Sequence, residues 1–270
     1  MRWVINFFKG IAISIATMIP GVSGGTMAII LNVYDDLIHA VGSFFEDWKK
    51  HSKLILELAL GGITGVLIFS RLIERALDKF PVVMSFFFIG VILGGVPLLY
   101  KKAISIDKKK INYIYLIVGF LIAMFFSNGP EALKTVAGFN DGVNTLFLIL
   151  AGIIIAVALI LPGISGSFML LIFGLYDMTL NAINTLNIRF LIPIIIGVLI
   201  GTIGTAKIIE KLIKRFPGKT YMMILGFVLG SIFAIYPSGA EWSNFILSGV
   251  ALVVGFLFIY WVSKKEYNNL

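Results

Sequence analysis

The sequence predicts an all-α polytopic membrane protein made of two inverted-topology repeats, each with one re-entrant broken-helix hairpin and three transmembrane helices. Three observations lead there. The 270 residues are 59% hydrophobic and only 13% charged, where soluble domains carry about 25% charged residues, and the mean hydropathy is +1.01. The chain also matches itself: Gly10 and Pro20-Gly21-Val22-Ser23-Gly24 align with Gly152 and Pro162-Gly163-Ile164-Ser165-Gly166 at an offset of 142, and Tyr34-Asp35 aligns with Tyr176-Asp177. Further along the offset becomes 136, so that Glu74, Phe80-Pro81, Gly90, Gly94 and Tyr100 match Glu210, Phe216-Pro217, Gly226, Gly230 and Tyr236. The third observation is where the positive charges fall. With three crossings per repeat and the N-terminus inside, only Arg71, Arg75, Lys79, Lys134 and Arg189 of the 22 basic residues lie outside.

The first repeat spans 1–130 and opens with a hairpin at 10–34. Its apolar stretch 11–19 rises about 14 Å at 1.5 Å per residue, near half a hydrocarbon core. Proline then removes a helical donor and the glycines permit non-helical backbone, so the helix stops at Pro20-Gly21 and a half-helix starts near Thr26. Helices at 54–75, 81–100 and 111–127 follow, each uninterrupted and near spanning length. The second repeat, 131–270, repeats the plan with a hairpin at 145–176, a half-helix starting near Phe168, and helices at 189–215, 219–236 and 244–263. The glycine pairs Gly61/Gly65, Gly90/Gly94, Gly197/Gly201 and Gly226/Gly230 match across the repeats and read as helix-packing faces. Trp3, Trp48, Trp242 and Trp261 sit at segment ends, where an interfacial belt belongs. The N-terminal segment, with Arg2 and Lys9 before an apolar run, superficially resembles a signal peptide; its recurrence in the second half assigns it to the mature protein.

Composition narrows the function. A formal net charge of +8 invites a nucleic-acid reading, but the basic residues sit in short runs between apolar segments and leave no soluble basic face. Cysteine is absent, which removes disulfides and thiolate chemistry. His39 and His51 lie far in sequence from any acidic cluster, so no metal site is expected.

Two breaks entering from opposite faces would meet near the midplane, where irregular backbone survives only under protein or beside a water-filled cavity. Ser23, Gly24, Gly25 and Thr26, opposite Ser165, Gly166 and Ser167, are therefore the first candidates for holding a phosphate-like anion. The plainer account is that small residues let the hairpins pack while serine caps a helix; duplication of the motif favours the anion site. Arg71, Glu74 and Arg75 are matched by Lys207, Glu210 and Lys211, which would put cations at both membrane faces, with Arg71 and Lys207 as phosphate contacts; ordinary solvation of helix ends is the competing account. Glu57, Glu74, Glu210, Asp35 and Asp177 are the candidates for coupling or gating. Of these, Glu57 also fits an i,i+4 pair with Lys53, and Asp35 and Asp177 fit capping or solvation at the hairpin exits.

Pro20-Gly21-Val22-Ser23-Gly24-Gly25-Thr26 with Tyr34-Asp35, and Leu161-Pro162-Gly163-Ile164-Ser165-Gly166-Ser167 in the second half, resemble the bacterial polyprenyl-phosphate transporter family over nearly the whole chain. The resemblance implies a flippase that returns undecaprenyl phosphate from the outer to the cytoplasmic leaflet of the plasma membrane for reuse as a lipid carrier, with both termini cytoplasmic. It implies no enzyme activity and no cofactor, a proton or sodium ion as the coupling species to test, and lipids rather than nucleic acid as partners. Two other readings remain at this point: an integral-membrane polyprenyl-pyrophosphate phosphatase, disfavoured because neither motif holds Glu, His or Arg, and a small-anion secondary transporter. Cysteines introduced at 105 and 240 should react with an impermeant thiol reagent from opposite sides of the membrane; labelling from one side would overturn the inverted topology.

Overall fold

The structure is a computed structural model that describes residues 2–18, 22–106, 109–127, 144–164, 166, 169–170, 173–237 and 245–268. Helices α1 (Arg2–Thr17), α2 (Gly24–Ile30) and α3 (Tyr34–Gly42) lead into α4 (Trp48–Lys79), α5 (Pro81–Ile106) and α6 (Asn112–Ser127). After them come α7 (Thr145–Ile160), α8 (Tyr176–Asn184), α9 (Ile188–Arg215), α10 (Pro217–Gly230), α11 (Ile232–Ile235) and α12 (Phe245–Asn268). No strand occurs among the described residues.

Five stretches are long and apolar enough to cross a membrane: Trp48–Lys79, Pro81–Ser105, Ile188–Arg215, Pro217–Ile235 and Phe245–Val262. The sixth expected crossing is α6, whose 16 residues rise only about 24 Å. It starts late because the N–H groups of Asn112 and Tyr113 close a tight turn on the carbonyls of Lys109 and Lys110. The helix before the first break is longer than the sequence suggested: α1 begins at Arg2, and its 16 residues equal those of α7. Asparagine and aspartate set the other starts. Asp47 accepts the Lys50 N–H at the head of α4, Asn144 that of Leu146 at α7, and Asn187 that of Phe190 at α9. The link expected between the first hairpin and α4 contains α3, a nine-residue helix.

The molecule is held by four close helix pairs: α1 with α4, α7 with α9, α5 with α12, and α6 with α10. Within each pair the numbering rises together. Phe7 and Ile11 face Gly61 and Gly65, Ile149 and Ile153 face Gly197 and Gly201, Leu252 and Phe256 face Gly90 and Gly94, and Leu116 and Phe120 face Gly226 and Gly230. The paired helices therefore run parallel. A Cβ added at Gly61 would stand 2.0 Å from the Phe7 carbonyl oxygen, and at its counterpart Gly197 2.1 Å from that of Ile149; at Gly90 and Gly226 the distances are 2.0 Å to Leu252 and 2.1 Å to Leu116. Without a hydrophobic drive between helices in lipid, such backbone approach is what holds them together. The same contacts recur at matched positions in both halves, and so do the sharp corners: Phe80 and Phe216 alone separate α4 from α5 and α9 from α10, with φ,ψ of −137°, 54° and −135°, 56°. At the centre α5 packs on α10, burying Ile92, Leu99, Met222 and Val228.

Replacing Gly90 by alanine should lower the thermal midpoint of the detergent-solubilised protein despite alanine's higher helix propensity, because overpacking costs about 1–3 kcal/mol. Gly249→Ala, where an added Cβ meets nothing within 4 Å, should leave the midpoint unchanged or raise it. Equal behaviour of the two variants would contradict the glycine contacts.

Candidate functional site

The two broken segments meet and complete each other. Ser23 takes an extended backbone (φ −90°, ψ 135°) at the start of α2, and its carbonyl accepts the Met27 N–H at 3.2 Å. On the facing segment Gly163 has φ +82°, and a Cβ there would lie 2.3 Å from the Phe227 carbonyl oxygen, so only glycine fits. Its N–H, freed by the break, donates to Thr26 Oγ1 at 2.9 Å, and the Tyr34 hydroxyl donates to the Ile160 carbonyl at 3.0 Å. Side chains of the first half thus satisfy backbone groups that the second break leaves open. Each half-helix is followed by a left-handed residue at matched positions, Asn32 (φ 49°) and Gly174 (φ 63°).

A cavity of about 410 Å³ opens at this junction. Thr17, Ser23, Gly24, Gly25 and Tyr34 line it from the first half, and Leu159, Ile164, Gly166 and Thr202 from the second. The predicted tip residues are therefore brought together, with one reassignment: Thr26 is 1% exposed and spends its acceptor on Gly163. Ser23 is 5% exposed and makes no capping hydrogen bond, so its hydroxyl is not a helix cap. Ser165 and Ser167 lie outside the described residues.

Beside the cavity, Asp35 opens α3. Its carboxylate accepts hydrogen bonds from the Tyr221 hydroxyl at 2.6 Å and from Lys102 Nζ, and the lysine also stands 4.8 Å over the Tyr221 ring. Asp35 is thus paired across helices while its side chain stays 36% exposed. The side chain of its counterpart Asp177 lies outside the described residues. Glu57 is bound by Asn6 Nδ2 at 2.8 Å across the α1–α4 contact. The expected Lys53–Glu57 pair is not among the ion pairs of the described residues, because α1 offers Glu57 a nearer donor.

At the far end of α3, Glu210 of α9 accepts from His39 Nδ1 at 2.6 Å and Lys214 Nζ at 2.6 Å, with the Ser43 hydroxyl at 3.5 Å. The His39 and His51 rings meet edge to face, 5.1 Å between centroids. His39 and Glu210 are 171 residues apart in the chain and adjacent in space, a single acidic partner and not the cluster that a metal site would need. Around them Lys207, Lys211, Lys214 and Arg215 line an open cavity of about 530 Å³ together with Glu46 and Glu210. Arg71, Glu74 and Arg75, the matched set on α4, are exposed.

The two ends differ in one respect. α3 packs along α9, whereas the matched pair, α8 with α4, makes almost no contact among the described residues. Ile38 on α3 is 3% exposed and its counterpart Leu180 on α8 is 45% exposed. The partners of Asp35 are one-sided as well, since the positions matching Lys102 and Tyr221 hold Ser238 and Ser85. Sequence reasoning missed Lys102, Tyr221, Asn6 and Thr202. The matched Tyr-Asp pair flagged Asp35, but nothing local to the other four residues pointed to it.

Comparison with known proteins follows from this geometry. Residues 13–250 match a family model described as undecaprenyl phosphate translocase-like. A polyprenyl-phosphate transporter of Vibrio cholerae is 32% identical over 252 residues, covering 88% of this chain and 79% of that protein. A polyprenyl-phosphate transporter of Staphylococcus aureus is 34% identical over 270 residues, covering 94% and 92%. No solved structure matches the chain.

Thr26→Val should destabilise the protein by about 1–3 kcal/mol, the cost of leaving a buried N–H without its acceptor, while Thr26→Ser should retain stability. Thermal unfolding in detergent reads both, and a stable valine variant would remove Thr26 from the junction.

Proposed function

This chain belongs to the undecaprenyl phosphate translocase-like family, and from that membership we propose that it moves undecaprenyl phosphate, or a closely related polyprenyl phosphate, from the outer to the cytoplasmic leaflet of the bacterial plasma membrane. The relatives' description as polyprenyl-phosphate transporters supports the lipid class. The junction cavity supports transport without chemistry. Its described lining offers the hydroxyls of Thr17, Ser23, Tyr34 and Thr202 but no carboxylate, imidazole or cation with which to break a phosphate ester. In this reading the phosphate passes the hairpin tips at Ser23, Gly24, Gly25 and Gly166, with Ser165 and Ser167 completing the second tip, while the prenyl chain stays in the apolar phase. Lys207 receives the phosphate at the inner face and Arg71 at the outer, and Glu57, Glu74, Glu210, Asp35 and Asp177 are the residues through which a proton or sodium gradient would couple.

The halves 1–130 and 131–270 act as inverted repeats whose hairpins re-enter from opposite faces. Parallel pairing of α1 with α4 supports this, because a chain that runs the same way twice must come back between them, and α2 and α3 are what lies between. The positive-inside bias sets both termini in the cytoplasm. The observation that carries the mechanism is the unequal burial of Ile38 and Leu180. One face is closed by α3 on α9, its counterpart is open between α8 and α4, and transport exchanges the two arrangements.

Reconstituted in liposomes, the protein should carry labelled polyprenyl phosphate between leaflets. Ser23→Leu should slow this about tenfold or more, since a hydrogen bond to a charged group contributes roughly 1.5–3 kcal/mol. Release of inorganic phosphate from a polyprenyl pyrophosphate would replace this reading with an enzyme. The chain has no cysteine, so a Gly42→Cys, Ala206→Cys pair can be cross-linked across the closed face, where an added Cβ at Gly42 lies 3.4 Å from the Ala206 carbonyl carbon and needs only the Glu210 side chain, at 2.8 Å, to shift. Oxidation should stop transport and reduction restore it; undiminished transport by the cross-linked protein would show that α3 and α9 need not part.

A further inference from the structure

A second cavity, of about 690 Å³, lies on the membrane-facing side between α1, α2, α5 and α12. Its walls are apolar, formed among others by Phe8, Ala12, Ile15, Met27, Phe88 and Ile259, and a single charged residue, Lys9, borders it. The polar end is built: Lys9 Nζ donates to the Asn32 carbonyl at 3.4 Å, and Lys102 Nζ approaches Asn32 Oδ1 at 3.5 Å, so two cations converge on the left-handed turn after α2. The matched place in the second half is different. Ala151 stands where Lys9 does and is 1% exposed, and the counterparts of Met27, Val91 and Ile259, namely Met169, Phe227 and Ala123, pack with one another in a closed cluster. The cation and the open groove are therefore found at one of the two matched places among the described residues, and are not a by-product of the repeated architecture.

We propose that this groove seats the prenyl chain of the transported lipid, with Lys9 directed at its phosphate. The assignment rests on the transport reading above and adds the place where the tail is held. An isoprenoid chain suits walls that offer methyl and aromatic surface and no hydrogen-bonding side chain along their length, and an anionic head suits the one end where lysine meets the cavity. Lys9 is only partly buried and stands at the mouth of the groove, where its ammonium can meet a phosphate.

The test is photolabelling of the full-length protein in liposomes with a farnesyl phosphate carrying a diazirine in its chain, followed by peptide mapping. Label is expected on 87–91 and 258–262 in the unmodified protein. Lys9→Gln should cut labelling about tenfold, as expected for loss of a charge-assisted contact, and Ala12→Trp should block it by filling the groove. Farnesol should compete poorly and unlabelled farnesyl phosphate well. Label confined to other helices, labelling unchanged by both variants, or equal competition by phosphatidylglycerol, which marks a site for bulk lipid, would each overturn the proposal. A parallel transport assay separates the two levels: transport without groove labelling refutes the tail site alone, and absence of transport by the unmodified protein refutes the function it rests on.

Discussion

Lipid cannot hydrogen-bond a peptide group, and the arrangement of this protein follows from that constraint. Each Pro-Gly break frees N–H and C=O groups at a depth where water is scarce, and each free group in hydrocarbon costs several kcal/mol. The contacts Gly163 N–H to Thr26 and Tyr34 hydroxyl to Ile160 carbonyl remove part of that cost by making one half supply what the other lacks. Once the tips are tied together, the rest is a matter of bringing helices close enough to shelter them. The glycines on α4, α5, α9 and α10 do this, letting carbonyls approach where any Cβ would collide.

Close glycine contacts make rigid pairs, and rigid pairs make a two-state machine plausible on physical grounds. Separating any of the four parallel helix pairs would open backbone contacts with no lipid substitute. The α3–α9 closure is of another kind. It rests on Ile38, on Gly42 against α9, and on the polar contacts of Glu210 with His39 and Ser43 at a face rich in exposed cations. Polar contacts at a wet end can exchange for water at little net cost, so this closure can part while the glycine pairs hold.

Much of the fold was legible because its signals are local. The apolar runs, the Pro-Gly breaks and the matched glycines stand in the sequence and reappear as α4, α5, α9, α10 and α12 and their contacts. What was not legible was decided by partners far along the chain. His39 looked isolated until α3 was laid on α9, and Glu57 looked paired with Lys53 until α1 brought Asn6 across. Thr26 looked like an anion ligand, yet it is buried at the junction, where its oxygen accepts the Gly163 N–H of the neighbouring break. Length was misjudged at α1, which begins at Arg2, whereas α6 falls within one residue of its expected bounds. The tip residues Ser23, Gly24, Gly25 and Gly166 did come together at one cavity, as a duplicated motif at the same depth implies.

The departures from symmetry carry as much meaning as the symmetry. A carrier made of two equal halves would present equal sites to both leaflets and have no preferred resting state. Here Lys9, Lys102 and Tyr221 face Ala151, Ser238 and Ser85 at the matched positions, so Asp35 is ion-paired on one side by residues the other side does not possess. That pairing ties the start of α3 to α5 and α10. The duplicated backbone repeats the helix pairs, and the unduplicated side chains distinguish one end from the other. The two ends are told apart by this small set of unmatched polar residues, while the matched glycines are common to both.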